Sequence, residues 1–412
     1  MVDLRASVCY FSNSDARGGV EEHILTLLRL VDRNLFRPIL ICTPSCAKKL
    51  QQDLPADVRL YPLSFARPYQ VWAAARCAHI LRSEKISILH SHLFNASFAA
   101  SPVGRWCGVP AIIETTHLRE AWRHGWIKGN YALDRFAGRF VDHYIAVSEA
   151  NARYLIDEKG FPAKKVHVIH NGCDLAKFKP GHLVPDTIRK ALGFGEQDPV
   201  LVMLGRLEPQ KGHRFLLEAH TRVLSEFPNA RLVCVGEGAL LGELEKQTES
   251  LGIGRAVRFV GFQSNVLDWL ALADVSVLPS IFEGLPLVAI ETLAAGRPMV
   301  ATAVDGTAEV VVDGKFGLTV PPGDSVKLAE AILRMLRNPA WARGLAQQGR
   351  QWVLEHFTQE QQIRKTEELY LQALQQRAKS KTASVSSARS AAIAGESRSQ
   401  PADHNSQMAE RK

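Results

Sequence analysis

The 412-residue chain is 46% apolar and 22% charged, enough for two globular domains with cores of their own. It has no run of eighteen apolar residues, which argues against a membrane-spanning helix, and its opening MVDLRASVCYFSNSD lacks the basic and apolar regions of a secretory leader. The net charge of +8 is uneven: residues 1–190 hold 26 basic and 17 acidic side chains, 191–375 hold 17 and 22, and 376–412 hold 7 and 3. An anionic partner is therefore expected for the front half alone; nucleic acid, an anionic membrane surface and an acidic acceptor all fit that charge. The seven cysteines are scattered. Cys42 and Cys46 lack a second pair, so the cysteines are read as reduced, cytosolic and structural.

Residues 7–11 form the first predicted strand. A loop then reaches Gly18-Gly19, and VEEHILTLLRLV reads as an amphipathic helix with acidic residues in its first turn. A glycine pair between strand and helix lets backbone approach a ligand closely. Residues 38–42 are a strand, 71–83 a helix and 86–90 a third strand, which ends in Leu-His-Ser-His. His90 and His92 could hold zinc, but no acidic or cysteine ligand accompanies them, and the expectation is no metal. Residues 112–116 are a strand ending at His117, where a ligand-facing and a structural histidine are equal readings from the residues. Strands follow at 143–147 and 166–169. After Asn171-Gly172-Cys173-Asp174, the polar residues 179–198 read as the linker.

The second half restarts the alternation. Residues 199–204 are a strand, followed by Gly205-Arg206-Leu207-Glu208-Pro209-Gln210-Lys211-Gly212 and a helix over 213–226. An arginine and a lysine on one loop beside a helix N-terminus suit a diphosphate. Residues 231–235 lead to Gly236-Glu237-Gly238, which lacks the third glycine of a dinucleotide fingerprint, and 257–260 lead to Gly261-Phe262. The densest stretch runs from Asp274 to Glu309. Strand 275–278 leads to Pro279-Ser280-Ile281-Phe282-Glu283-Gly284, and Pro286 is expected in the first turn of a helix that Gly296 stops. Glu283 sits at a strand's carboxyl end, where open α/β sheets bind ligands, and the amides of Gly284, Leu285 and Leu287 favour anions. Glu291 follows two turns on, among small and apolar neighbours. Strand 298–302, a strand and turn over 314–322, a helix over 325–336 and helix from 340 to about 375 with a break at Phe357-Thr358 complete the pattern.

Phe-Glu-Gly-Leu-Pro with the second Glu eight positions on, Gly-Arg-x-x-x-x-Lys-Gly, Gly-Gly-x-Glu, Thr-x-His and Asn-Gly-x-Asp resemble the retaining GT-B glycosyltransferases of family 4, over residues 6–375 and in the family's order. The resemblance implies two Rossmann-like parallel-sheet domains facing across a cleft. The first, 1–185, is the acceptor side and the second, 186–355, binds the nucleotide-sugar. A helix over 356–377 crosses back, and 378–412 reads as a disordered basic tail. It implies sugar transfer with retention and without a metal. Arg206 and Lys211 would stabilise the departing diphosphate. Glu291 would hold the ribose, Glu283 and the following amides would orient the sugar, His117 would face it from the other wall, and Gly18 and Gly19 would lie beside the diphosphate. Asn171 would be structural. No Asp-x-Asp occurs to bridge a metal, and Asp305-Gly306 stands where many relatives carry Gly-Gly.

The reading is therefore a cytoplasmic glycosyltransferase using a nucleotide-sugar and a glycan or lipid-linked glycan acceptor in bacterial surface-polysaccharide synthesis, lipopolysaccharide or exopolysaccharide, with no cofactor and no nucleic acid partner. A sugar phosphorylase or sucrose-type synthase on the same fold, and a catalytically idle nucleotide-binding subunit, are the alternatives. The segment 117–144 interleaves Arg119, Arg123, Lys128, Arg135 and Arg139 with Trp122, Trp126, Tyr131 and Phe136, which suits docking of the front half on the anionic inner face of the cytoplasmic membrane.

Overall fold

A computed structural model describes residues 5–15, 18–65, 70–120, 131–179, 181–182 and 186–396; side chains of the last helix are described to residue 379. Two sheets carry the fold. The first holds seven strands, β1 (Ala6–Phe11), β2 (Phe36–Cys42), β3 (Arg59–Pro62), β4 (Ile88–His92), β5 (Ala111–Thr116), β6 (His143–Ala146) and β7 (Val166–Val168), in the order β3-β2-β1-β4-β5-β6-β7. The second holds six, β8 (Val200–Leu204), β9 (Arg231–Val235), β10 (Val257–Phe259), β11 (Val275–Leu278), β12 (Met299–Thr302) and β13 (Leu318–Val320), in the order β10-β9-β8-β11-β12-β13. Strand pairs run parallel, as in Phe11 beside Ser91 and Ser276 beside Met299. A parallel sheet is covered on both faces, so its strands read as unbroken apolar runs. In β8, Val200 and Val202 enter one core while Leu201 and Met203 enter the other. In β1, Cys9 and Phe11 face one core and Val8 and Tyr10 the other.

Each sheet has one switch point, between β1 and β4 in the first and between β8 and β11 in the second. Loops diverge there and leave a crevice at the carboxyl ends of the strands. The chain returns to the first domain through helix Pro339–His356 and helix Gln359–Glu396. Cys173 N–H donates to Phe357 O at 3.0 Å and Gln359 N–H to Cys173 O at 3.3 Å, so the two crossings run side by side. A Cβ on Gly172 would sit 2.3 Å from Thr358 O, which leaves room for glycine alone. Ile363, Leu369, Tyr370 and Ala373 then join the first domain's core.

Four local expectations shift. The third predicted strand lies two residues later, at β4, because Ile86 N–H instead closes the preceding helix on Leu81 O. Strand β3 was not anticipated: RLYP alternates weakly and is one of the sheet's edges. Pro286 is the N-cap (ψ 112°), not part of the first turn; the helix is Leu287–Ala294. Backbone helix continues to Glu396, so residues 378–396 are helical where a disordered tail was expected; this stretch has no proline and no glycine before Gly395 to stop it. Residues 397–412 lie outside the described residues, as do Trp122, Arg123, Trp126 and Lys128.

Candidate active site

The loops leaving β8, β9 and β11 make the second domain's wall of the cleft, and glycines let them stack. A Cβ on Gly212 would meet Pro279 O at 2.0 Å, one on Gly236 would meet Gly205 O at 2.1 Å, and one on Gly238 would meet Leu207 O at 2.3 Å. Gly212 also holds φ 71°, the left-handed region, where it ends the turn Pro209–Lys211 and caps helix His213–Glu226. This packing brings the two ends of the predicted constellation together. Lys211 Nζ lies 2.6 Å from Glu283 Oε1, and Ser280 Oγ donates to the same oxygen at 2.7 Å. Arg206 shares the lysine's loop, half exposed, with Nη1 2.7 Å from Glu208 Oε1. Gln210 Nε2 donates to Phe282 O at 3.0 Å and Ile281 N–H to Gln210 O at 2.8 Å, tying the basic loop to the acidic one.

Asp305 explains the departure from Gly-Gly. Its φ is +39°, a conformation glycine adopts freely and aspartate tolerates better than most residues. In return, Asp305 Oδ2 accepts the Glu283 N–H at 3.0 Å and Oδ1 lies 3.9 Å from Arg119 Nη1 of the first domain. Burial raises the Asp305 carboxyl above its ordinary range, against the pull of the Glu283 amide and Arg119.

The first domain's wall is made of neutral rings. His117 follows β5, His92 ends β4 and His23 lies on helix Gly19–Leu30; all three are buried. His92 Nδ1 and His117 Nε2 share a hydrogen bond at 3.1 Å, and the His23 and His117 rings meet edge to face at 4.7 Å. Burial lowers the pKa of each, His23 to about 4 and the other two well below the usual histidine range, so all are neutral near pH 7. Their ring nitrogens lie within 4.8 Å of one another, a set that could hold a metal ion. One nitrogen each of His92 and His117 is engaged in their mutual bond, His92 Nε2 has no hydrogen-bond partner among the described residues, and His23 Nδ1 lies 2.9 Å from Asn171 Oδ1 and 3.0 Å from Gln362 Nε2. His90, the other half of the His-x-His pair, points to Tyr370 and Thr115, 2.6 Å from each hydroxyl.

The walls touch at the loop that follows β11. A Cβ on Gly284 would lie 1.6 Å from His117 O, so only a glycine allows this approach. Asn171 Nδ2 donates to Leu285 O at 3.4 Å. Glu309 of the second domain accepts the amides of Glu149 and Ala150 at 3.1 and 3.0 Å and meets His170 Nε2 at 3.0 Å, capping a helix of the first domain.

Between the walls lies a cavity of about 520 Å³, lined by Gly18, Gly19, His117, Arg206, Lys211, Glu283, Gly284, Leu285 and Leu287. Glu291 is the exception among the predicted site residues. It faces the adjoining space of about 1230 Å³, beside Cys173, whose Sγ donates to Glu291 Oε1 at 3.9 Å. Burial raises its carboxyl to about 7, despite that bond. Sequence reasoning missed His23, Asn171 as a cleft residue, and Asp305 and Glu309 as bridges. Asn171 was visible as a polar residue after a strand, but its turn-like neighbours pointed to structure.

Comparison with known proteins places the chain in a family. The family model described as Glycosyltransferase Family 4 matches residues 17–177, and that described as Glycosyl transferases group 1 matches 185–352. A glycogen synthase of Mycobacterium tuberculosis is 31% identical over 300 residues, 71% of this chain and 70% of that protein. The UDP-Gal:alpha-D-GlcNAc-diphosphoundecaprenol alpha-1,3-galactosyltransferase of Escherichia coli is 28% identical over 262 residues, 62% of this chain and 68% of that protein. The structure of Anabaena HepE in complex with UDP and glucose superposes with a TM-score of 0.75 at 19% identity, covering 92% of this chain and 100% of that one.

Proposed function

The chain belongs to the GT-B glycosyltransferases of family 4, and from that membership we propose that it moves a sugar, with retention at the anomeric carbon and without a metal, from a nucleotide-sugar to a glycan or lipid-linked glycan of a bacterial surface polysaccharide. The observation that carries this reading is the Lys211–Glu283 pair at 2.6 Å, beside Arg206 and facing His117 across a cavity sized for a nucleotide-sugar. The bond from the anomeric carbon to the diphosphate oxygen breaks as the acceptor oxygen bonds the same face, and the acceptor proton passes to the departing oxygen. Arg206 and Lys211 offset the charge that develops there. Lys211 is held by Glu283, which keeps its charge at the site before the donor arrives. Glu283 and the backbone from Gly284 to Leu287 orient the sugar, and neutral His117 donates or accepts a hydrogen bond without adding a second positive charge. Glu291 accepts from the ribose in the adjoining space.

The acceptor is reached at an anionic membrane surface through the basic first domain. No described helix is long and apolar enough to cross a membrane. The deciding experiment incubates the protein, stripped with EDTA, with single nucleotide-sugars and a lipid-linked glycan extract. Release of nucleoside diphosphate with an α-linked product from an α-donor is expected. Turnover that needs inorganic phosphate, inversion at the anomeric carbon, or activity restored only by a divalent ion would each refute a part of the reading.

A further inference from the structure

A layer of helices covers the first domain's outer side. Helices Val71–Ser83, Phe94–Trp106 and Ala132–Ala137, with the turn Gly138–Phe140, pack side by side. Their inner positions, such as Cys77, Ile80 and Ala100, fill the core. Their outer positions are unusual for a solvated face. Five of the six most exposed large apolar side chains among the described residues lie here: Trp72 (88% exposed), Val71, Trp106, Leu133 and Phe136; the sixth, Phe262, lines the cleft. A solvated helix normally sets acidic residues among basic ones. Here the three helices and the turn contain five arginines and a single acid, Asp134, which is buried 2.8 Å from the Lys159 ammonium.

The second domain shows the ordinary pattern. Helix His213–Glu226 carries Arg214, Glu218, Arg222 and Glu226, and helix Leu241–Ser250 carries three glutamates and one lysine. The other face of the first sheet is already covered by the returning helix. On this layer, cations and rings are paired: Arg82 Cζ lies 4.3 Å from the Trp106 ring centroid and Arg139 Cζ 5.7 Å from that of Phe136. The segment expected to dock is only partly here. Tyr131 is buried in the core, and Arg119 is turned to Glu158 and to Asp305 across the cleft, so neither faces outward.

We propose that this layer is a docking surface for an anionic bilayer, which rests on the reading of a lipid-linked acceptor. Exposed rings spread over three neighbouring helices suit a broad surface better than a partner that needs a groove. Trp72 opens its helix at the carboxyl ends of the strands, and Trp106 closes the next helix at the opposite end, about 20 Å away for a thirteen-residue helix. Indole and phenyl rings partition into the head-group boundary, and arginines meet lipid phosphates at about 1 kcal/mol each. Because the cleft opens at the carboxyl ends of the strands, docking on this layer sets its mouth beside the bilayer, where a lipid-linked acceptor presents its glycan.

The test is co-sedimentation of the full chain with vesicles of phosphatidylglycerol and phosphatidylcholine, against phosphatidylcholine alone, at low and high salt. Salt-sensitive preference for the anionic vesicles is expected. Replacing Arg76, Arg82 and Arg139 by Ser lowers that partition about a hundredfold, and Trp72→Ser with Trp106→Ser lowers it further. Leu241→Ser with Lys246→Ser, on the second domain, leaves it unchanged. Binding of UDP, followed by thermal shift, is the same in all variants, which separates a failed docking surface from a misfolded protein or from a failure of the transferase reading. Equal sedimentation with neutral vesicles, or retention of anionic binding after the arginine and tryptophan substitutions, overturns the proposal. So does the absence of vesicle binding in a protein that captures an acidic protein through these arginines.

Discussion

The two walls of the cleft solve opposite electrostatic problems. On the second domain's basic and acidic loops, opposite charges are paired, Lys211 on Glu283 and Arg206 on Glu208, and Asp305 accepts the Glu283 amide. On the first, potential charge is suppressed, since burial holds His23, His90, His92 and His117 neutral. A site that must stabilise a leaving diphosphate gains from cations at the diphosphate itself. The same cations on the sugar side would attract a second anion. On the proposed reading, charge on one wall and neutral hydrogen-bonding groups on the other would favour a single orientation of the donor.

The largest expected effect comes from removing a charge. Arg206→Ala and Lys211→Ala should each cost about 2–4 kcal/mol of transition-state stabilisation, roughly 30- to 1000-fold in kcat/KM. Steady-state kinetics without metal measures this; near-normal values in both variants would erase the distinction between the walls. Next is their contact. Gly284→Ala puts a methyl where His117 O already lies, so the walls separate and kcat falls about a hundredfold, as for a misplacement near 1 Å, with thermal stability lowered as well. Activity at the wild-type level in a folded Gly284→Ala protein would show that the close approach is dispensable.

A smaller effect divides the two glutamates. Glu291→Ala loses bonds made in ground and transition states alike and should raise donor KM roughly 10- to 100-fold with kcat kept, whereas Glu283→Ala should lower kcat. The same split in both variants, or none, would cancel the assignment.

Last comes pH, where the walls have opposite signs. The buried histidines take a proton in the unfolded chain near pH 6.5 but in the folded chain only at lower pH, about 4 for His23. Their contribution is intact above pH 6.5 and is lost as pH falls toward 4. Glu291 keeps its proton in the folded chain to about pH 7 but loses it near 4.5 when unfolded, so its contribution is intact below 4.5 and is lost as pH rises to 7. For each pH unit between a group's folded and unfolded pKa, stability changes by about 1.4 kcal/mol. Denaturant midpoints between pH 4 and 8 should show His92→Gln flattening the acid limb and Glu291→Gln flattening the alkaline one. A Glu291→Gln profile parallel to wild type would remove the buried carboxylate from the account.

Short-range order in the chain was enough to determine the alternation of strand and helix and the loops that carry Arg206, Lys211, Glu283 and Glu291. Apolar period, turn residues and motif spacing are all written within a few positions, and helix His213–Glu226 and strand Arg231–Val235 occur where those patterns place them. Tertiary structure decided what meets across the fold. His23 reaches His92 and His117 from helices and strands far apart in the chain, and Glu309 caps a helix 160 residues earlier. Asp305 is bound to Glu283 by a backbone conformation that its neighbours in sequence do not reveal. Which ring of a helix stays in water was equally hidden: Tyr131 and Phe136 lie five positions apart, yet one is buried and the other exposed. Local periodicity reports which side of an element is apolar. The neighbour that covers it, or leaves it bare, is set by packing between elements distant in the chain.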